Sequence, residues 1–157
     1  MYHVLLADDE PSIIQSMKNA IAWDKYGMEV TYTANSGEEA LNILMTNPPD
    51  IAILDIRMPG HNGLELSKYI SQNELKTQVI IVSGYAEFSY AQKAIQYNVL
   101  GYCLKPVEYD EITSLLLRAV RNLILLPLSV RIRYRLQTRF ASAQVLHNMD
   151  IYSINPF

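Results

Sequence analysis

Short apolar runs alternate with amphipathic stretches through most of this chain. Tyr2–Leu6 is apolar apart from His3 and closes on acids, which predicts a first strand and the loop after it. Pro11 suits the first turn of a helix, where its missing N–H is not needed, and that helix is expected to run to about Ala22. Met28–Ala34 carries the β-branched and aromatic residues of a second strand. Ser36-Gly37-Glu38-Glu39 reads as a capping box, with Ser36 and Glu39 satisfying each other's free backbone donors, and opens a helix to about Met45. Pro48 and Pro49 stop it. Ile51–Leu54 is then an unbroken apolar run, the pattern of a strand buried on both faces, and Asp55 ends it.

The alternation continues. Asn62-Gly63-Leu64 opens a third helix expected to face Leu64 and Ile70 inward, with Leu66 a further candidate for that face, and Val79–Val82 is a second fully buried strand ended by Ser83-Gly84. A fourth helix is expected over Glu87–Tyr97, with Phe88, Ala91, Ile95 and then Val99 on its core face. Tyr90, Ala94 and Tyr97 fall on another face, readable as ordinary wet surface or as a patch for a partner. A fifth strand, Gly101–Leu104, leads through Lys105-Pro106 into a helix from about Glu108, whose first turn carries Glu108, Asp110 and Glu111 to suit the helix dipole. Successive β–α units of this length argue for an α/β fold: a parallel sheet with helices on both faces. Ligands bind such folds beyond the carboxyl ends of the strands.

Charge divides the chain. Residues 1–120 hold 8 Lys/Arg against 15 Asp/Glu, whereas 121–157 hold 5 against 1, and lysine disappears from that tail. The shift sets an expected boundary between a domain over 1–120 and an Arg-containing tail over 121–157. Half the residues are hydrophobic and 18% are charged, as in ordinary globular proteins. The first residues carry no basic leader and reach acid early, and the apolar stretch Leu115–Leu128 is broken by Arg118, Arg121 and Pro127. A cytoplasmic protein without membrane insertion is expected. Cys103 is the single cysteine, so no intrachain disulfide can form, and His3, His61 and His147 give no zinc spacing.

The candidate chemistry stands where strands end: Asp8 and Asp9 after the first, Asp55 after the third, Ser83 after the fourth and Lys105 after the fifth. Carboxylates brought together repel unless a cation sits among them, and a hard divalent ion with oxygen ligands, Mg²⁺ above all, suits them. Lysine can neutralise added phosphate charge and serine can donate to its oxygens. The set describes a phosphoryl-transfer site in which a carboxylate is the acceptor. Taken singly, each acid is weak, because an Asp after a strand is usually a turn or cap residue. Gly63 and Gly84 are isolated glycines, better explained by backbone turns than by phosphate binding.

The strings Leu6-Ala7-Asp8-Asp9-Glu10-Pro11, Asp50 through Gly60, Ser83-Gly84-Tyr85 and Gly101 through Val107 resemble response-regulator receivers. That resemblance covers residues 1 to about 120. It implies a doubly wound five-stranded parallel sheet of flavodoxin-like order 2-1-3-4-5. Asp55 resembles the phosphoacceptor; Asp9, Asp55 and the Arg57 backbone carbonyl the direct metal ligands; and Asp8 an acid acting on the metal through water. Ser83 resembles the hydroxyl that turns toward the phosphoryl oxygen, Tyr102 the aromatic rotor that follows it, and Lys105 the cation on the phosphoryl group. The resemblance also implies a cis Lys105-Pro106 peptide, Mg²⁺ as cofactor and a sensor histidine kinase as partner. Phosphorylation would shift the surface formed by helix four, strand five and helix five and favour a homodimer there.

A narrower resemblance rests on Trp23, Tyr26-Gly27-Met28 and Ser83 through Ala94, which are similar to receivers joined to AraC-type DNA-binding domains. A tail of 37 residues is too short for two helix-turn-helix units, so DNA binding by this chain is not expected. Two readings of the tail stay open, a shortened or frame-shifted ending and a genuine appendage of a stand-alone receiver. Its alternating stretch Val130–Leu136 is expected to be weakly packed. Other functions fit less well. An aspartate-nucleophile phosphatase generally wants a second acid two residues after the nucleophile, where Arg57 stands, and a flavin-binding electron carrier needs a hydroxyl- and glycine-rich loop after strand one.

Overall fold

A computed structural model describes residues 1–126. Its elements are β1 (Tyr2–Ala7), α1 (Pro11–Ala20), β2 (Met28–Ala34), α2 (Gly37–Thr46), β3 (Ile51–Asp55), α3 (Gly63–Gln72), β4 (Gln78–Ser83), α4 (Phe88–Gln96), β5 (Gly101–Leu104) and α5 (Tyr109–Leu125). A 3-10 turn, Asp24–Tyr26, precedes β2. The strands form one parallel sheet in the order β2-β1-β3-β4-β5. The fold is therefore the doubly wound, flavodoxin-like α/β arrangement.

Side chains alternate across the sheet and build a core on each face. On one face Val4, Leu6, Ile53, Ile80 and Val82 meet α1 through Ile14 and Met17, and α5 through Ile112, Leu116 and Leu123. On the other, Leu5, Leu54, Val79 and Ile81 meet α2 through Ala40 and Leu44, α3 through Leu64, Leu66 and Ile70, and α4 through Ala94. Every residue of β3 is buried, which is why Ile51–Leu54 had to be continuously apolar. β1 and β3 are interior strands flanked on both sides, so Asp8 and Asp55 emerge close together at one sheet edge.

Three expectations need correction. The core face of α4 is inverted: Phe88 and Ile95 are 77% and 78% exposed, whereas Ala94 is 4% exposed and Tyr90 packs beside it. Only Val99, after the helix, packs inward as expected. The helix lies against α3, and the small Ala94 side chain permits that approach where Ile95 would hold the two apart. At α2, Ser36 Oγ accepts the Glu39 N–H at 3.1 Å, but the Glu39 carboxylate turns to the Asn35 N–H at 2.8 Å, so the box is not reciprocal. The reciprocal box belongs to Asn62 and Glu65 at α3. Helix α1 ends at Ala20, two residues early, because Ile21 leaves the helix in extended backbone.

The charge break at residue 121 does not interrupt α5, which continues to Leu125 and buries Leu123. Asn122 also donates to the Gln78 side chain at 3.0 Å, tying this last turn to β4. Expectations for the tail from residue 127 onward, Val130–Leu136 included, lie outside the described residues. Among the described residues no helix is long and apolar enough to cross a membrane. Cys103 is fully buried on β5, and burial with the neighbouring Glu111 carboxylate pushes its thiol up to about 12.

Candidate functional site

The carboxyl ends of β1, β3, β4 and β5 bring the expected residues to one cleft. Asp8 and Asp55 are both 5% exposed, and the Lys105 ammonium, arriving from β5, lies between them. Its Nζ is 2.9 Å from Asp8 Oδ2 and 3.0 Å from Asp55 Oδ1. The other oxygens of both acids are also engaged: Asp8 Oδ1 accepts the Glu10 N–H and Asp55 Oδ2 accepts the Arg57 N–H, each at 2.9 Å. The peptide between Lys105 and Pro106 is cis, as the resemblance implied.

Electrostatics follows from this packing. Burial raises the Asp55 carboxyl above its ordinary pKa; Lys105 opposes that without cancelling it, and the Asp8 charge adds to the rise. Burial acts to lower Lys105, but its hydrogen bonds to Asp8 and Asp55 outweigh it and hold the ammonium above its ordinary value. Carboxylate oxygens of Asp8, Asp9 and Glu10 lie within 4.8 Å of one another, with Asp9 and Glu10 exposed. This all-oxygen donor set fits a hard divalent cation. Asp55 stands outside that trio and spends one oxygen on Lys105.

Ser83 is buried at the end of β4, where its hydroxyl accepts the Tyr85 N–H at 3.0 Å and donates to the Tyr85 carbonyl at 3.3 Å. The Tyr102 hydroxyl donates to that same carbonyl at 2.6 Å. Ser83 and Tyr102 thus meet at the Tyr85 main chain. Two contacts were not read from the sequence. Glu10 Oε1 lies 4.0 Å from Lys105 Nζ, and the Arg57 guanidinium stacks on the Tyr85 ring, 3.6 Å from its centroid. Both depend on how loops fold back, which spacing does not encode; the adjacent acids and the Arg–aromatic composition were the available signals.

The geometry agrees with sequence comparison. Residues 4–117 match the family model described as response regulator receiver domain. The chain belongs to this family. Residue identity with a transcriptional regulatory protein, HptR of Staphylococcus aureus (strain NCTC 8325 / PS 47), is 40% over 124 residues, 79% of this chain and 48% of that protein. The chain thus spans about half the length of the curated relatives it matches. Among solved structures, the receiver of AraT, a response regulator from Geobacillus stearothermophilus, superposes with a TM-score of 0.71 at 36% identity, covering 78% of this chain and 95% of that one. A response regulator receiver domain protein from Clostridium thermocellum gives 0.71 at 29% identity, covering 81% and 100%. This receiver is a two-component signalling module, a phosphoacceptor switch and not a turnover enzyme.

Proposed function

We propose that Asp55 is the phosphoacceptor of this receiver, supplied by a sensor histidine kinase and dependent on Mg²⁺. The observation that carries this is the Lys105 ammonium shared between Asp8 and Asp55 beside exposed Asp9. Asp55 Oδ attacks phosphorus; the donor's P–N bond breaks, its electron pair stays on the imidazole nitrogen, and an acyl phosphate forms. Lys105 then sits where it can neutralise a phosphoryl oxygen. Asp9, Asp55 and the Arg57 carbonyl would hold Mg²⁺, with Asp8 acting through water. When bound, the ion offsets the carboxylate charge and the charge developing on the phosphoryl oxygens.

Ser83 and Tyr102 are the proposed switch. Recruitment of the Ser83 hydroxyl by the phosphoryl group would release its contacts with Tyr85, the residue whose carbonyl also takes Tyr102, and so reach α4, β5 and α5. A homodimer through that surface fits the exposure of Phe88, Ile95 and Leu104. The Trp23 and Ser83–Ala94 resemblance supports membership of the subfamily joined to AraC-type DNA-binding domains, and the 40% identity with a transcriptional regulatory protein supports a role in transcriptional regulation.

Incubating the chain with a small acyl phosphate, with and without Mg²⁺, tests the assignment. Stable, metal-dependent labelling at Asp55 is expected; continuous turnover of phosphomonoesters would favour a phosphatase. Substituting Asp9→Ala is expected to raise the Mg²⁺ concentration needed for half-maximal labelling by about tenfold or more, a typical cost for disturbing a metal site. An unchanged Mg²⁺ titration would remove Asp9 from the metal site.

A further inference from the structure

The cleft over Asp55 sets up an electrostatic problem for its own substrate. Its lining brings the carboxylates of Asp9, Glu10 and Asp55 together with the cations Lys105 and Arg57. A phosphodonor is an anion and must approach those acids. Lys105 is already committed at 2.9 and 3.0 Å to two carboxylates. Arg57 is placed differently. Its side chain is 56% exposed at the cleft mouth, its guanidinium lies over the Tyr85 ring at 3.6 Å, and it makes a 4.0 Å ion pair with half-exposed Glu87.

Resting on the phosphoacceptor assignment above, we infer that the Arg57 side chain docks the incoming anionic phosphodonor, held ready by Tyr85 and restrained by Glu87. Stacking uses the face of the guanidinium and leaves its N–H edge for planar recognition of phosphate or carboxylate oxygens, which a lysine cannot reproduce. A solvent-exposed ion pair at this distance is weak, so an arriving phosphodonor can displace Glu87 at little cost. Arg57 also lines the adjoining groove with Asp9, Met58, Asn62 and Tyr90, so the residue borders both the acceptor cleft and the open groove next to it. Tyr85 joins this station to the switch, because its carbonyl accepts from Ser83 and Tyr102.

The two partners of Arg57 must therefore act in opposite directions. With the full chain, Mg²⁺ and a small acyl phosphate, initial labelling rates are measured against donor concentration. Arg57→Gln is expected to raise the half-saturating donor concentration about three- to tenfold, the scale of one charge-assisted contact, while the saturated rate changes less. Arg57→Lys recovers part of this loss. Glu87→Gln is expected to lower the half-saturating concentration about twofold, as removal of a weak competitor should. The double variant Arg57→Gln/Glu87→Gln then behaves as Arg57→Gln alone. An unchanged half-saturating concentration in Arg57→Gln overturns the inference, as does a Glu87→Gln shift in the same direction as Arg57→Gln. If the unsubstituted chain takes no label, the phosphoacceptor assignment falls and this inference with it; normal labelling with indifferent variants removes the inference alone.

Discussion

Asp55→Asn is expected to abolish labelling by every phosphodonor while raising the thermal stability of the metal-free chain at neutral pH. The amide keeps the shape of the side chain but is no nucleophile, so the first effect is complete. The second follows from the raised pKa of Asp55, whose ordinary value is 3.8. A carboxyl with a folded-state pKa above its unfolded value makes the ionised native state less stable, and this cost is fully present above the folded pKa. It declines as pH falls through that pKa and is gone below the unfolded value. The variant should therefore melt higher than the parent at pH 7, with the gap closing in acid as Asp55 of the parent takes up its proton. Labelling of the variant at full stoichiometry would show that another residue is the acceptor. A lower melting temperature at pH 7 would show that burial does not dominate at this position.

Gly63→Ala is the substitution expected to disturb fold and site together. A Cβ at residue 63 would run into the Asp55 backbone carbonyl and come within 3.3 Å of Ile81 Cδ1. Neither neighbour can yield cheaply, since Asp55 belongs to a central strand and Ile81 is fully buried. Relief requires the start of α3 to move outward, which strains the 3.1 Å hydrogen bond from the Gly63 N–H to the Ile56 carbonyl. Overpacking of this kind costs roughly 1–3 kcal/mol. The same displacement pulls on the Asp55–Arg57 segment, where the Arg57 N–H orients the Asp55 carboxylate at 2.9 Å. A melting temperature several degrees lower and a slower labelling rate are expected together. Unchanged values of both would mean that the loop absorbs a methyl group without cost.

The strands and the gathering of the strand-end residues in one cleft were legible because both rest on order along the chain. β3 and β4 announce themselves as continuous apolar runs, and a parallel sheet automatically gathers the residues that end its strands, so Asp8, Asp9, Asp55, Ser83 and Lys105 could be grouped before any distance was known. The face of α4 was not legible. Two stripes competed there, and hydrophobicity favours Phe88 and Ile95 over Tyr90 and Ala94; close packing on α3 instead selects the small side chain, leaving the larger ones exposed. The clustering of Glu10 with Asp8 and Asp9 was not legible, because it depends on the path of the loop after β1, nor was the pairing of Asp55 with Lys105. The end of α5 was obscured by composition. Arg121 and the loss of lysine mark a chemical change, but a helix continues while its apolar period continues, and Leu116, Ala119 and Leu123 maintain that period.

Cys103 turns the protein into its own stability gauge. A fully buried thiol pushed up to about 12 has almost no thiolate at neutral pH and no path to reagent while β5 stays in place. Alkylation must therefore wait for the strand to open, and as the single cysteine of the chain its modification reports that event without interference. Because Tyr102 and Lys105 flank it on the same short segment, the alkylation rate measures how firmly the element leading into Lys105 is clamped, in any ionic or phosphorylation state, without an added probe.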